Sequence, residues 1–87
     1  MKPEVTKPER FMEIRSQSIA PRNKIRILYG IAFSMTPEEV EQTRAMVGRR
    51  LEHFQELNAP QVIIDGVKAS DQRLYKLLDK VAKEVVS

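Results

Sequence analysis

Arg22-Asn23-Lys24-Ile25-Arg26-Ile27-Leu28-Tyr29-Gly30-Ile31-Ala32-Phe33-Ser34 alternates without a break, with Ile25, Ile27, Tyr29, Ile31 and Phe33 at every second position. Alternation sends successive side chains to opposite faces of a strand, so the stretch predicts a β-strand over 22–34 whose five large residues share one face. The other face holds Lys24, Arg26, Leu28, Gly30 and Ala32, charged at its start and small and apolar later, and is expected to be only partly covered.

The segment that follows, Thr36 to Asn58, predicts one long helix. Thr36 is placed to cap it, Pro37 stands where a missing N–H is harmless, and Glu39 can reach back to the cap's own N–H to complete a capping box. Val40, Val47, Leu51 and Phe54 then follow a helical period, while Glu41, Ala45, Arg49, Glu52 and Glu56 fall on the opposite side. Asn58, Ala59 and Pro60 end it, because Asn tolerates a left-handed C-terminal position and Pro cannot continue the ladder. Gly48 inside this helix is expected to permit close packing. Gln61 to Val67 reads as a second, shorter strand, with Asp65-Gly66 as its turn signal. Ser70 is expected to cap a last helix, with Asp71 in its first turn and Leu74, Leu77, Leu78, Val81 and Val85 as its apolar stripe.

Strand, helix, strand and helix make a crossover unit with parallel pairing. The expected fold class is therefore α+β: a small β-α-β-α two-layer domain over 22–87. A flexible tail is expected at 1–5 and a short helix can form within 6–20, from about Lys7 to Ser18, capped by Thr6 and closed by Pro21. A two-stranded sheet leaves open edges. The 22–34 strand is thus expected either to pair with a second copy as a homodimer or to be covered by the N-terminal helix.

Eighty-seven residues suffice for one domain. The chain has no cysteine, hence neither a disulfide framework nor a thiolate metal site, which accords with a cytoplasmic protein. Its longest nearly apolar run, Ile27 to Met35, is far shorter than the roughly 20 residues of a membrane span. Net charge is +3, and the basic excess is N-terminal: residues 1–35 carry seven Lys/Arg against three Glu. Such an excess suits an acidic protein surface or a nucleic acid.

Catalytic and metal-binding patterns are absent. His53 is the only histidine, the three glycines are scattered at Gly30, Gly48 and Gly66, and Asp65 alone makes no calcium loop. No enzyme activity, cofactor or metal is expected. Arg22, Lys24 and Arg26 at the strand start and Arg49-Arg50 on the long helix would suit phosphate contacts, so a basic nucleic-acid-binding module is one reading. Against it, Tyr29, Phe33 and Phe54 are expected in the core, which leaves Tyr75 as the one exposed aromatic able to stack on bases.

Lys24-Ile25-Arg26-Ile27, Gly48-Arg49-Arg50-Leu51-Glu52-His53-Phe54 and Gly66-Val67-Lys68-Ala69-Ser70-Asp71-Gln72-Arg73-Leu74, taken in this order, resemble the DinI-like family of the bacterial DNA-damage (SOS) response and of prophages. The resemblance covers about residues 24–84. It implies a non-enzymatic regulator that blocks the DNA-binding or assembly surface of a protein partner, either a RecA-type recombinase or, as in prophage Tum-type antirepressors, a phage repressor. The acidic last helix of DinI has no counterpart here, where Arg73, Lys76, Lys80 and Lys83 outnumber Asp71, Asp79 and Glu84. That departure favours the antirepressor-like role. The partner-binding residues implied are Arg22, Lys24 and Arg26, then Arg49, Arg50 and His53, then Arg73, Lys76 and Lys80.

Overall fold

A computed structural model describes residues 4–86, with side-chain surroundings described through Glu84. Four helices follow one another: α1 (Lys7–Ser16), α2 (Pro21–Phe33), α3 (Pro37–Glu56) and α4 (Gln61–Val86). Helix α1 packs on α2 and α3, and α4 packs on the same two, so the helices close a ring in the order α1, α2, α4, α3. Phe11, Leu28, Ala32, Met35, Val40, Val47, Leu74, Leu77, Leu78 and Val81 form one buried cluster inside it.

The expected α+β fold is therefore overturned: the described residues contain no strand. The 22–34 stretch is helix α2, and the reason is visible in its own residues. Ile25, Leu28, Tyr29 and Ala32 satisfy i, i+3, i+4, i+7 as well as the other set satisfies alternation, and the continuous apolar run from Ile27 to Phe33 cannot distinguish the two periods. Pro21, expected to close the first helix, instead occupies the first turn of α2, where its fixed φ is helical already. Leu28 and Ala32 are buried, whereas Ile25, Ile27 and Phe33 of the expected core face are exposed. A homodimer through a 22–34 strand falls with the strand.

The second expected strand is the first part of α4. Ile64, Val67, Asp71, Leu74, Leu78 and Val81 hold one 3–4 spacing straight across Gly66, and Gly in a helix costs only about 1 kcal/mol. Ser70 is an exposed mid-helix residue rather than a cap, and Asp71 is buried rather than in a first turn. The side chain of Val85 and residues 1–3 of the expected tail lie outside the described residues.

Helix α3 starts as its residues predict. The Thr36 side chain accepts from the Glu39 N–H, and the Thr36 N–H donates to Glu39 Oε1 at 3.0 Å, forming the capping box. At its other end Asn58 has φ 53°, Ala59 N–H donates to Phe54 O and Asn58 N–H to Gln55 O, a Schellman turn that reverses the chain into α4. In α1 the Thr6 hydroxyl accepts from the Glu9 N–H, and the helix ends at Ser16. Two lysines bind helix C-terminal carbonyls and lock α1 antiparallel to α2: Lys7 Nζ donates to Ser34 O at 2.5 Å and Lys24 Nζ to Arg15 O at 2.9 Å.

One ion pair is buried across the ring. Arg15 Nη2 of α1 donates to Asp71 Oδ1 of α4, and both side chains are almost fully enclosed. Arg15 Nε and Nη1 and Asp71 Oδ2 make no hydrogen bond among the described residues. Burial lowers the Arg15 pKa and raises that of Asp71 in spite of their mutual attraction, so removal from water outweighs the pairing.

Deleting one partner strands the other charge, so Asp71→Ala should lose about 3 kcal/mol in urea unfolding, whereas Arg15→Met with Asp71→Leu should be neutral or stabilising. Because the folded Asp71 pKa is raised, its contribution is full below the unfolded value near 4 and is lost as pH rises through the folded value. The advantage of the double replacement over the parent should therefore grow from acid to neutral pH. Helix and strand readings of 22–34 also separate in solution. Leu28→Ala should cost about 3 kcal/mol and Ile27→Ser no more than about 0.5 kcal/mol; the reverse order would restore the strand.

Candidate functional site

The stripe by which α4 packs inward dictates where its cations go. With Leu74, Leu78 and Val81 turned to the core, Arg73, Lys76 and Lys80 fall on one flank, at spacings of three and four residues. Leu77 sits between core and flank. On the facing helix, Ile25, Tyr29 and Phe33 recur every fourth residue along the flank of α2 that turns toward α4.

The two flanks bound a groove. Ile25, Tyr29 and Leu77 make its apolar floor, and Arg26, Arg73, Lys76 and Lys80 its rim. It continues toward Ile19, Pro21 and Ser70 at the end where Lys24 and Arg73 approach. The Tyr29 and Phe33 rings stack with centroids 6.1 Å apart, and Phe33 remains 54% exposed, so the apolar strip extends to the last residue of α2. Lys80 Nζ lies 5.6 Å from the centroid of the Tyr29 ring, within cation–π range. The Tyr29 hydroxyl donates to Glu84 Oε2 at 2.6 Å, and this bond holds the phenol above its ordinary pKa. The bond to Glu84 orients Tyr29 as a wall of the groove.

The predicted site residues fall in three places: the groove, the start of α2 and the outer face of α3. Arg26, Arg73, Lys76 and Lys80 come together on the groove. Lys24 is half-buried and committed to the Arg15 carbonyl, and Arg22 is exposed on the first turn of α2. Arg49, Arg50 and His53 are exposed on α3 and line no part of the groove. Arg49 borders a shallow depression with Glu41, Arg44, Glu52 and Tyr75, where charges of both signs alternate. Arg50 lies 5.7 Å from the Phe54 ring centroid and bears electrostatically on the buried pair. Tyr75, expected as a free stacking aromatic, is half-buried against α3: a Cβ on Gly48 would come within 3.0 Å of its hydroxyl, and the Arg44 guanidinium covers its ring.

Sequence reasoning missed Ile25, Tyr29 and Phe33 as surface residues because it assigned them to the core of a sheet. The signal that could have found them is the fourfold spacing of those three residues read beside the three-and-four spacing of Arg73, Lys76 and Lys80.

A second apolar surface lies elsewhere. Leu57, Val62 and Ile63 are exposed at the α3–α4 turn, with Val62 76% accessible. Among the described residues no group of three or more His, Cys, Asp or Glu side chains converges to hold a metal ion, and no helix is long and apolar enough to cross a membrane. Compared with known proteins, this chain matches no family model, no curated protein and no solved structure.

Proposed function

We propose that the chain is a small non-enzymatic regulator that acts by binding a partner protein in the α2–α4 groove. The observation that carries this reading is the apolar strip of exposed Ile25, half-buried Tyr29 and exposed Phe33, whose first two residues lie beside the cation row Arg73, Lys76 and Lys80. Scattered surface hydrophobics need no explanation, but a contiguous apolar strip rimmed by polar groups is the anatomy of an interaction site. The groups around the groove are suited to recognition rather than to proton transfer, since they are guanidinium and ammonium ions and a phenol hydrogen-bonded to Glu84.

The charge of the rim narrows how such a regulator would work. DNA-binding surfaces of repressors and recombinases are themselves basic and would be repelled by Arg26, Arg73, Lys76 and Lys80. An assembly surface bearing carboxylates would be attracted. The proposed action is therefore occupation of an assembly surface, on a repressor, a RecA-type recombinase or another protein that works as an oligomer. The α+β fold implied by the DinI-like resemblance is not the fold of this chain, so the proposal rests on the groove. A basic nucleic-acid-binding module is the second reading, favoured by the same cation row.

Affinity capture by the tagged protein from nuclease-treated lysate of its own cells distinguishes them. A near-stoichiometric protein should be retained after nuclease, lost with the exposed triple reversal Arg73→Glu, Lys76→Glu and Lys80→Glu, and kept with Arg49→Glu and Arg50→Glu. Recovery that vanishes on nuclease treatment would transfer the site to nucleic acid. Recovery indifferent to the triple reversal would remove the groove from the proposal.

A further inference from the structure

We infer that the occupant of the α2–α4 groove is an acidic amphipathic α-helix of the partner protein, laid along α4; this rests on the groove being the binding surface. Three features of the groove select that occupant.

The first is backbone chemistry. A segment that binds by adding a β-strand needs a sheet edge with free N–H and C=O groups, and the walls here are helices whose mid-helix backbone groups are already bonded within α2 and α4. A helix brings its own backbone bonds and needs only side-chain contacts. The second is spacing. Ile25 to Phe33 spans nine residues of α2 and Arg73 to Lys80 eight of α4, each about 10–12 Å end to end along its axis at 1.5 Å rise per residue. A partner helix of roughly three turns, with apolar residues at i, i+3 or i+4 and i+7, would meet the whole strip.

The third is charge. Four cations line the groove, while Glu84, at the Tyr29 end, already accepts the Tyr29 hydroxyl. Arg73, Lys76 and Lys80 lie on the α4 side and the single Arg26 on the α2 side, so a bound helix would meet a row of positive charge along one flank of its apolar edge and one cation on the other. Carboxylates flanking that edge complete the match. The same distribution argues against a second copy of this chain, because two grooves facing each other would oppose their cation rows.

The test is selection of random 14-residue peptides displayed on phage against the intact protein, with counter-selection on the Arg73→Glu, Lys76→Glu, Lys80→Glu variant, whose helicity and melting are checked by circular dichroism. Enriched peptides should be acidic with apolar residues at helical spacing, should gain helicity on binding, and should weaken at least about tenfold when their Glu and Asp are changed to Gln and Asn. Peptides that are neutral, basic or extended would overturn the acidic helix while leaving the groove as a binding surface. No enrichment over the triple variant would overturn both. A labelled oligo-dT strand run in parallel should bind at least about tenfold more weakly than the selected peptides; equal or tighter binding would overturn the proposal in favour of nucleic acid.

Discussion

The inward stripe of α4, Leu74, Leu77, Leu78 and Val81, is the surface on which the rest of the molecule closes. Helices α2 and α3 pack against it directly, and α1 closes the ring by packing on both. Because the stripe repeats at three and four residues, everything else on α4 is assigned to a flank by phase alone. Tyr75 and Asp79 turn toward α3, where Gly48 admits the phenol and Arg44 meets the carboxylate. Arg73, Lys76 and Lys80 turn the other way, toward α2. The basic rim is thus a geometric consequence of the core, and no separate structural device is needed to gather its charges.

Polar contacts in this fold orient helices more than they stabilise them. Lys7 and Lys24 bond to carbonyls at opposite ends of the α1–α2 pair and define its antiparallel sense. The Arg44 and Asp79 pair is about half exposed, where such pairs contribute little. Arg15 and Asp71 are different, since both are taken out of water and their remaining donors and acceptor go unmatched among the described residues. A pair of this kind is a poor source of stability but penalises any packing in which one charge is buried without the other. It joins α1 to α4, the two helices that lie across the ring from each other, and so specifies which side of α4 faces α1.

The groove follows from the inequality of the helices. With 13 residues α2 is half the length of α4, and its apolar residues exceed what one inward stripe can bury. Leu28 and Ala32 take the core positions, leaving Ile25, Tyr29 and Phe33 along the edge. An 87-residue domain with few kcal/mol in reserve exposes such a strip at some risk of aggregation. The neighbouring cations and the Tyr29–Glu84 bond keep that strip charged at its margin and ordered at its centre. This arrangement suits a surface that is covered only when a complementary segment arrives.

Several local features were determined by sequence alone. Thr36, Pro37 and Glu39 dictate the start of α3, Asn58 its end, and Thr6 the start of α1, because capping depends on residues within one turn of each other. The stripes of α3 and of the second half of α4 were legible for the same local reason, and Arg26, Arg73, Lys76 and Lys80 were recognisable as candidate contacts. The conformation of 22–34 was not, since its apolar residues, continuous from Ile27 to Phe33, fit periods of two and 3.6 alike. Nor could the sequence show that Gln61–Val67 continues into the last helix, because Asp65-Gly66 is as acceptable in a helix as in a turn when a long stripe rewards continuity. Tertiary structure decided both, through the burial of Leu28 and Ala32 in one apolar cluster with Leu74, Leu78 and Val81, residues distant in sequence whose removal from water outweighs local preference, while the Arg15–Asp71 pair, 56 positions apart, only penalises other packings.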